Sequence, residues 1–283
     1  MTLDDLPWSG PSVNEGVRTR GTASIIGSLS DRGVPASGFV NCANIRGNSS
    51  ILRAWLAAGV ELGNHTARHL DIDRVGSAAW LEDVRDCDVA LRTLTGRPPR
   101  FFRYPMLRQG ATRARRDSAA RALSSMGYVN AHVTIDNSES RIALAYRLAS
   151  EANDREAMTS IADIYVRHLR AAFLHAREVA KRKLRRDGSH VLLLHLNQLN
   201  ADHIGAALDS LAADGAEFVP LDTVLGDALY SLPDLYVGGR GWSWLYRIAP
   251  FDPADAVWDD VEAARVDTLL RQSSGSPRRI NRH

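Results

Sequence analysis

No run of apolar residues in this 283-residue chain is long enough to cross a bilayer, so none of it reads as a transmembrane helix. An excess of one charge is also missing. Its 35 Lys and Arg against 33 Asp and Glu leave a formal charge of +2, which asks for neither nucleic acid nor an anionic membrane as partner. No Gly-x-Gly-x-x-Gly follows any strand-like run, so nucleotide binding has no support. Cysteine is scarce: Cys42 and Cys87 stand far apart in no metal-type spacing, and two ordinary buried or half-buried thiols are expected rather than a disulfide. The opening, Met1-Thr2-Leu3-Asp4-Asp5, carries no recognisable secretion signal. What is present is ordinary for a globular protein with a real core, 45% hydrophobic and 24% charged residues.

Helical and strand-like patterns alternate along the chain. Helices are expected over 21–31, 49–58, 77–95, 111–126, about 142–186 and 201–213. The helix over 77–95 has Ser77 as a candidate N-cap, Gly96 as its stop, and Trp80, Leu81, Val84, Val89, Leu91 and Leu94 on one stripe. Short strands are expected over 36–41, 60–63, 101–104, 128–135, 191–194 and 217–221. Strands spaced by helices of this length imply parallel pairing through right-handed crossovers; six or seven such units suggest a barrel-like α/β domain, with an open doubly wound sheet as the alternative.

Four segments bring polar residues to the ends of these strands, where α/β folds place their sites. The first contains Asp4 and Asp5; adjacent carboxylates on an extended segment point in opposite directions and can serve different roles. The second is Gly63-Asn64-His65-Thr66-Ala67-Arg68-His69. Histidines at i and i+4 on a helical turn share a face, and with a carboxylate from another strand end they make a set that leaves coordination places open. The third is Phe102-Arg103-Tyr104-Pro105. The fourth, Leu193-Leu194-His195-Leu196-Asn197, brings His195 straight out of a buried strand; on this segment alone a core histidine satisfied by one hydrogen bond is an equal reading.

In this order the segments resemble the polysaccharide deacetylases, the NodB-homology domain of carbohydrate esterase family four. The family's motifs are Thr-Phe-Asp-Asp-Gly, His-Ser/Thr-x-x-His, Arg-x-Pro, Asp-x-x-Asp-Trp and Leu-x-x-His. Here they read Thr2-Leu3-Asp4-Asp5, His65-Thr66-Ala67-Arg68-His69, Arg103-Tyr104-Pro105, Asp136-Asn137-Ser138-Glu139-Ser140 and Leu192-Leu193-Leu194-His195. The Asp-Asp-Leu-Pro start and the aromatic segment Pro233 to Leu245 are similar to one branch of the family.

The resemblance implies a distorted (β/α)7-type barrel and a metal-dependent hydrolase that removes N-acetyl groups from an amino sugar, oligosaccharide or polysaccharide. Asp5, His65 and His69 would hold zinc, or cobalt or nickel in its place. Asp4 would be the general base, Arg103 its partner, His195 the general acid, and Glu139 would stand where the family has the Asp that tunes that histidine. Glu139 adds a methylene, and Ser140 replaces a Trp beside the site. Hydrolysis of a cyclic imide or ureide, or an impaired metal-binding homologue, are the alternatives.

Residues 1–230 are read as the catalytic domain, 231–271 as an extension packed on the barrel, and 272–283 as a flexible tail. Only three residues precede Asp4, so a truncated first strand is expected, with Asp4 and Asp5 on a frayed end. If residues are missing there, a periplasmic or secreted location fits; otherwise a cytoplasmic one.

Overall fold

The computed structural model describes residues 1–11 and 13–273. Strand β1 (Thr2–Leu6) leads into helix α1 (Glu15–Asp31), whose N-cap Asn14 accepts the Val17 amide at 2.9 Å. Then follow β2 (Ser37–Val40), α2 (Ser49–Ala57), β3 (Glu61–Asn64), the single turn α3 (Ile72–Val75) and α4 (Ser77–Thr95). After β4 (Phe101–Phe102) come α5 (Arg113–Ser125), β5 (Val129–Asn130), α6 (Glu139–Glu151), α7 (Arg155–Leu184), β6 (Leu193–His195) and α8 (Gln198–Ala213). The short helices α9 (Leu221–Leu225) and α10 (Trp244–Arg247) and the longer α11 (Val257–Ser273) complete the described chain.

The strands form one parallel sheet in the order β5-β4-β3-β2-β1-β6. A parallel bridge from Ile135 to Leu192 then ties the segment after β5 back to β6, so the sheet curls into the distorted barrel expected from the alternating pattern. β1 lies between β2 and β6, with Leu3 and Leu6 wholly buried. Asp4 and Asp5 therefore sit on an interior strand and not on a frayed end.

Strand alternation sorts the core. Phe39, Phe101, Ala131 and Val191 make one buried cluster, whereas Leu3, Leu6, Val40 and Leu62 belong to the large cluster shared with the surrounding helices. Gly63 makes room for this packing, since a Cβ there would lie 2.6 Å from the Phe39 ring. The extension packs against this body: Trp244, Leu245, Tyr246 and Ile248 are buried, and the Trp244 indole donates to Leu229 O at 2.9 Å.

Several expectations change. Gly76, not Ser77, occupies the N-cap position of α4, and Val89 of its apolar stripe is exposed. The long helix over 142–186 is two helices: Asn153, at φ 55°, breaks the chain between α6 and α7, and α6 starts at Glu139. Of the strand over 128–135, Val129 and Asn130 pair with β4, and Ile135 bridges to Leu192 beside β6. Residues 217–221 form no strand; Val219 and Leu221 pack on the Phe39 cluster, and Leu221 opens α9. Their apolar content serves burial without a sheet, which a short apolar run cannot reveal. Of the tail expected over 272–283, Gln272 and Ser273 close α11, and 274–283 lie outside the described residues.

Cys42 and Cys87, expected as separate thiols, are joined in a disulfide with Cα atoms 5.0 Å apart. Sequence separation carries no information on that distance; it is set when α4 packs behind the end of β2.

Candidate metal centre

Asp4 and Asp5 lie near the end of β1, but they do not diverge as alternation predicts. Asp5 adopts φ 62°, the β1–β2 register shifts between Leu3 and Leu6, and this bulge turns both carboxylates toward His65. Asp4 Oδ2 and Asp5 Oδ1 each lie 3.7 Å from His65 Nε2. The His65–His69 segment is likewise not a helical turn. It is a loop after β3 in which Thr66 (φ 64°) and His69 (φ 58°) are left-handed, and this winding brings the two rings to 4.8 Å between centroids. Positive φ in non-glycine residues costs about 1–3 kcal/mol each, and Asp5, Thr66 and His69 all stand at this one place.

Asp5, His65 and His69 offer ligand atoms that all lie within 4.8 Å of one another. The donor set, two imidazole nitrogens and a carboxylate oxygen, suits zinc and neighbouring divalent ions. A second observation fits a cation: His65 Nδ1 faces Arg103 O at 2.8 Å, so it carries the proton and Nε2 presents its lone pair to Asp5 and His69. Asp5 is fixed by Asn41 Nδ2 at 2.8 Å on Oδ1 and Ser9 Oγ at 3.0 Å on Oδ2. Burial works against its charge, but His65, His195, His69 and the Asn41 hydrogen bond outweigh it and bring its pKa down to about 2. Burial, and then His65, lower that of His69, which favours the neutral form a metal ligand needs.

Asp4 is buried against Arg103, whose Nη1 lies 3.2 Å from both carboxylate oxygens. The guanidinium is itself held by Ala131 O at 2.7 Å and Thr2 Oγ1 at 3.2 Å, with Phe39 below it at 4.5 Å. His195 pairs in the sheet with Asp4. Its Nδ1 contacts Glu139 Oε2 at 2.8 Å, leaving Nε2 as the nitrogen that can address a substrate. Glu139 Oε1 accepts from Asn200 Nδ2 at 2.8 Å and from Asn197, which also caps α8, and Asn200 is in turn bonded by Tyr165. Burial opposes the charged imidazole, but the Glu139 hydrogen bond and charge, followed by Asp5 and Asp4, raise the His195 pKa to about 9. Asp136, from the same motif, stands close enough to feel His195, Arg103 and Asp4; burial leads in pushing its pKa up to about 6.

All seven residues singled out in the sequence thus converge where β1, β3 and β6 end. Sequence reasoning missed Ser9, Asn41, Asn200 and Tyr165. Asn41 alone left a trace, a polar residue closing the strand expected over 36–41.

Residues 1–131 match the family model described as polysaccharide deacetylase. A chitin deacetylase of Pestalotiopsis sp is 25% identical over 236 residues, covering 81% of this chain and 63% of that protein, so the chain spans less than two thirds of that relative. A polysaccharide deacetylase from Bacillus cereus superposes with TM-score 0.54 at 18% identity over 77% of this chain and 89% of its own. A family 4 carbohydrate esterase from Streptomyces lividans, in complex with acetate, gives 0.50 at 22% identity over 79% and 93%. These last two likenesses bear on the fold, whereas the match over 1–131 spans the first three motif segments. Over residues 1–131 the chain is similar to the polysaccharide deacetylase family, and over most of its length to a chitin deacetylase.

Proposed function

We propose that this protein hydrolyses the N-acetyl amide of an amino sugar, free or within an oligosaccharide or polysaccharide, with a divalent cation held by Asp5, His65 and His69. The observation that carries this reading is the meeting of a two-histidine, one-carboxylate cluster, an Arg-paired Asp and a Glu-paired His at one end of a parallel barrel. Zinc is the first choice of cation and cobalt or nickel the next, on the chemistry of the donors. When bound, such an ion polarises the amide carbonyl and makes hydroxide available near neutral pH.

The chain's own groups supply the rest. Asp4 takes the proton from the attacking water, and Arg103 holds its carboxylate in place through both oxygens. His195, charged at neutral pH through Glu139, gives its Nε2 proton to the departing nitrogen, a poor leaving group as an anion. Glu139 reaches His195 despite its extra methylene because it sits in the first turn of α6, with Asn197 and Asn200 holding its other oxygen. That geometry supports a competent site over an impaired one. Ser140, exposed beside it, leaves open the wall that a Trp occupies in the family motif, and favours hydrolysis of a different small amide as the second reading.

Residues 231–271 belong with the catalytic unit, a reading supported by the burial of Trp244 to Tyr246. The Cys42–Cys87 disulfide favours an oxidising location, periplasmic or secreted.

The test is acetate release from N-acetylglucosamine oligomers by metal-stripped protein with and without added zinc. Release restored by zinc supports the reading; one zinc bound per chain without release moves it to another amide.

A further inference from the structure

The residues behind the metal-ligand loop form a clamp with two jaws. On one side Cys42 and Ala43, which follow β2, donate their amides to Thr66 O (3.2 Å) and Ala67 O (2.9 Å), while the preceding Asn41 reaches Asp5. On the other side α4 presents Asp83, wholly buried. Its carbonyl accepts the Ala67 amide at 3.1 Å; its carboxylate accepts the Arg68 amide at 3.0 Å and Arg68 Nε at 2.6 Å. Between the ligands His65 and His69, the carbonyls of Thr66 and Ala67 are therefore held by one jaw and the amides of Ala67 and Arg68 by the other. Cys87 lies one turn beyond Asp83 on α4, and the Cys42–Cys87 disulfide joins the jaws covalently. Both cysteines are buried, so the crosslink acts as part of the interior packing.

We propose that Asp83 and the Cys42–Cys87 disulfide together position the His65–His69 loop, so that opening the disulfide weakens cation binding while the barrel stays folded. This rests on the metal-site reading above. The opening is a two-electron reduction: a dithiol reductant attacks one sulfur, the S–S bond breaks, the dithiol closes to its own disulfide, and Cys42 and Cys87 each take a proton. Asp83 is a positioning residue, since its hydrogen bonds go to the loop at Ala67 and Arg68 and not to the ligand atoms of Asp5, His65 or His69.

The experiment compares oxidised wild type, dithiothreitol-reduced wild type freed of reductant, C42S/C87S, Asp83→Ala and Asp83→Asn. Zinc affinity is read by chelator competition, and amide exchange of Ala67 and Arg68 is read without zinc. Affinity should fall about tenfold or more on reduction, in C42S/C87S and in Asp83→Ala, a loss in the range seen when groups supporting metal ligands are removed. Asp83→Asn, which can still accept the Arg68 amide, should recover part of it. The two amides should exchange faster while those of β1 and β2 stay protected. Equal affinity and equal exchange in folded oxidised and reduced protein would overturn the proposal. Absence of zinc uptake by oxidised wild type would remove the metal reading and the affinity claim with it. The exchange rates would then still decide whether the loop is held as described, and reduced wild type serves if the variants do not fold.

Discussion

The two halves of the site are secured by different means. On the cation side, Asp5, His65 and His69 are aimed by backbone: a β-bulge, three left-handed residues and a loop gripped through its amides and carbonyls. On the acid side, His195 continues a regular strand, and its partner Glu139 is fixed by side chains alone, Asn197, Asn200 and, behind them, Tyr165. Backbone winding converges ligand atoms from residues that are not adjacent on any regular element. Side-chain chemistry sets the charge of one imidazole. On the function proposed above, the first half should fail by losing its cation, the second by changing its pH response.

The largest break is on the cation side. His65→Ala or His69→Ala should abolish zinc uptake and lower acetate release by at least about 10²–10³-fold, the scale of losing one preorganised electrostatic group; zinc stoichiometry and initial rates check this. Next is Glu139→Gln. The ionised partner that holds the His195 pKa near 9 is lost, and the ring should titrate closer to its ordinary 6.5. The sign follows: a histidine raised on folding is stabilising below pH 6.5 and loses that contribution as pH climbs through about 9. In the variant the alkaline limb of the rate profile should move to lower pH, with zinc affinity retained. An unmoved limb would detach Glu139 from His195.

Two smaller changes sharpen the contrast. Asn41→Ala removes the hydrogen bond to Asp5 Oδ1 and should weaken zinc binding about 10–100-fold, with little change in melting temperature. Asn200→Ala should do the reverse, because this wholly buried amide satisfies Glu139, His195 O and Tyr165 at once. Leaving such partners unsatisfied costs about 1–3 kcal/mol, to be read by denaturant titration with zinc affinity nearly unchanged.

How far the site was legible in the sequence follows the same division. The carboxylates, the two imidazoles and the His at the end of an apolar strand were visible by residue type and position, whereas Arg103 as partner of Asp4 and Glu139 as partner of His195 came through the resemblance to the deacetylase motifs. Their mutual arrangement was not. Alternation predicts diverging side chains for Asp4 and Asp5, and only a positive φ at Asp5 overrides it. An i, i+4 pair suggests a helix, and only the packing of α4 behind the loop makes His65 and His69 meet otherwise.

The disulfide shows the same limit, since two cysteines in unrelated elements become neighbours only when those elements pack.

By itself the sequence determined the alternation of helices and strands, the parallel barrel and the inventory of reactive groups. Hydrophobic period and residue type are local properties that any folded form must respect. Tertiary structure alone decided the bulge at Asp5, the loop that converges His65 on His69, the Asn41 and Asn200 hydrogen bonds and the union of Cys42 with Cys87. Each of these depends on contacts between segments far apart in the chain, and no local pattern encodes them.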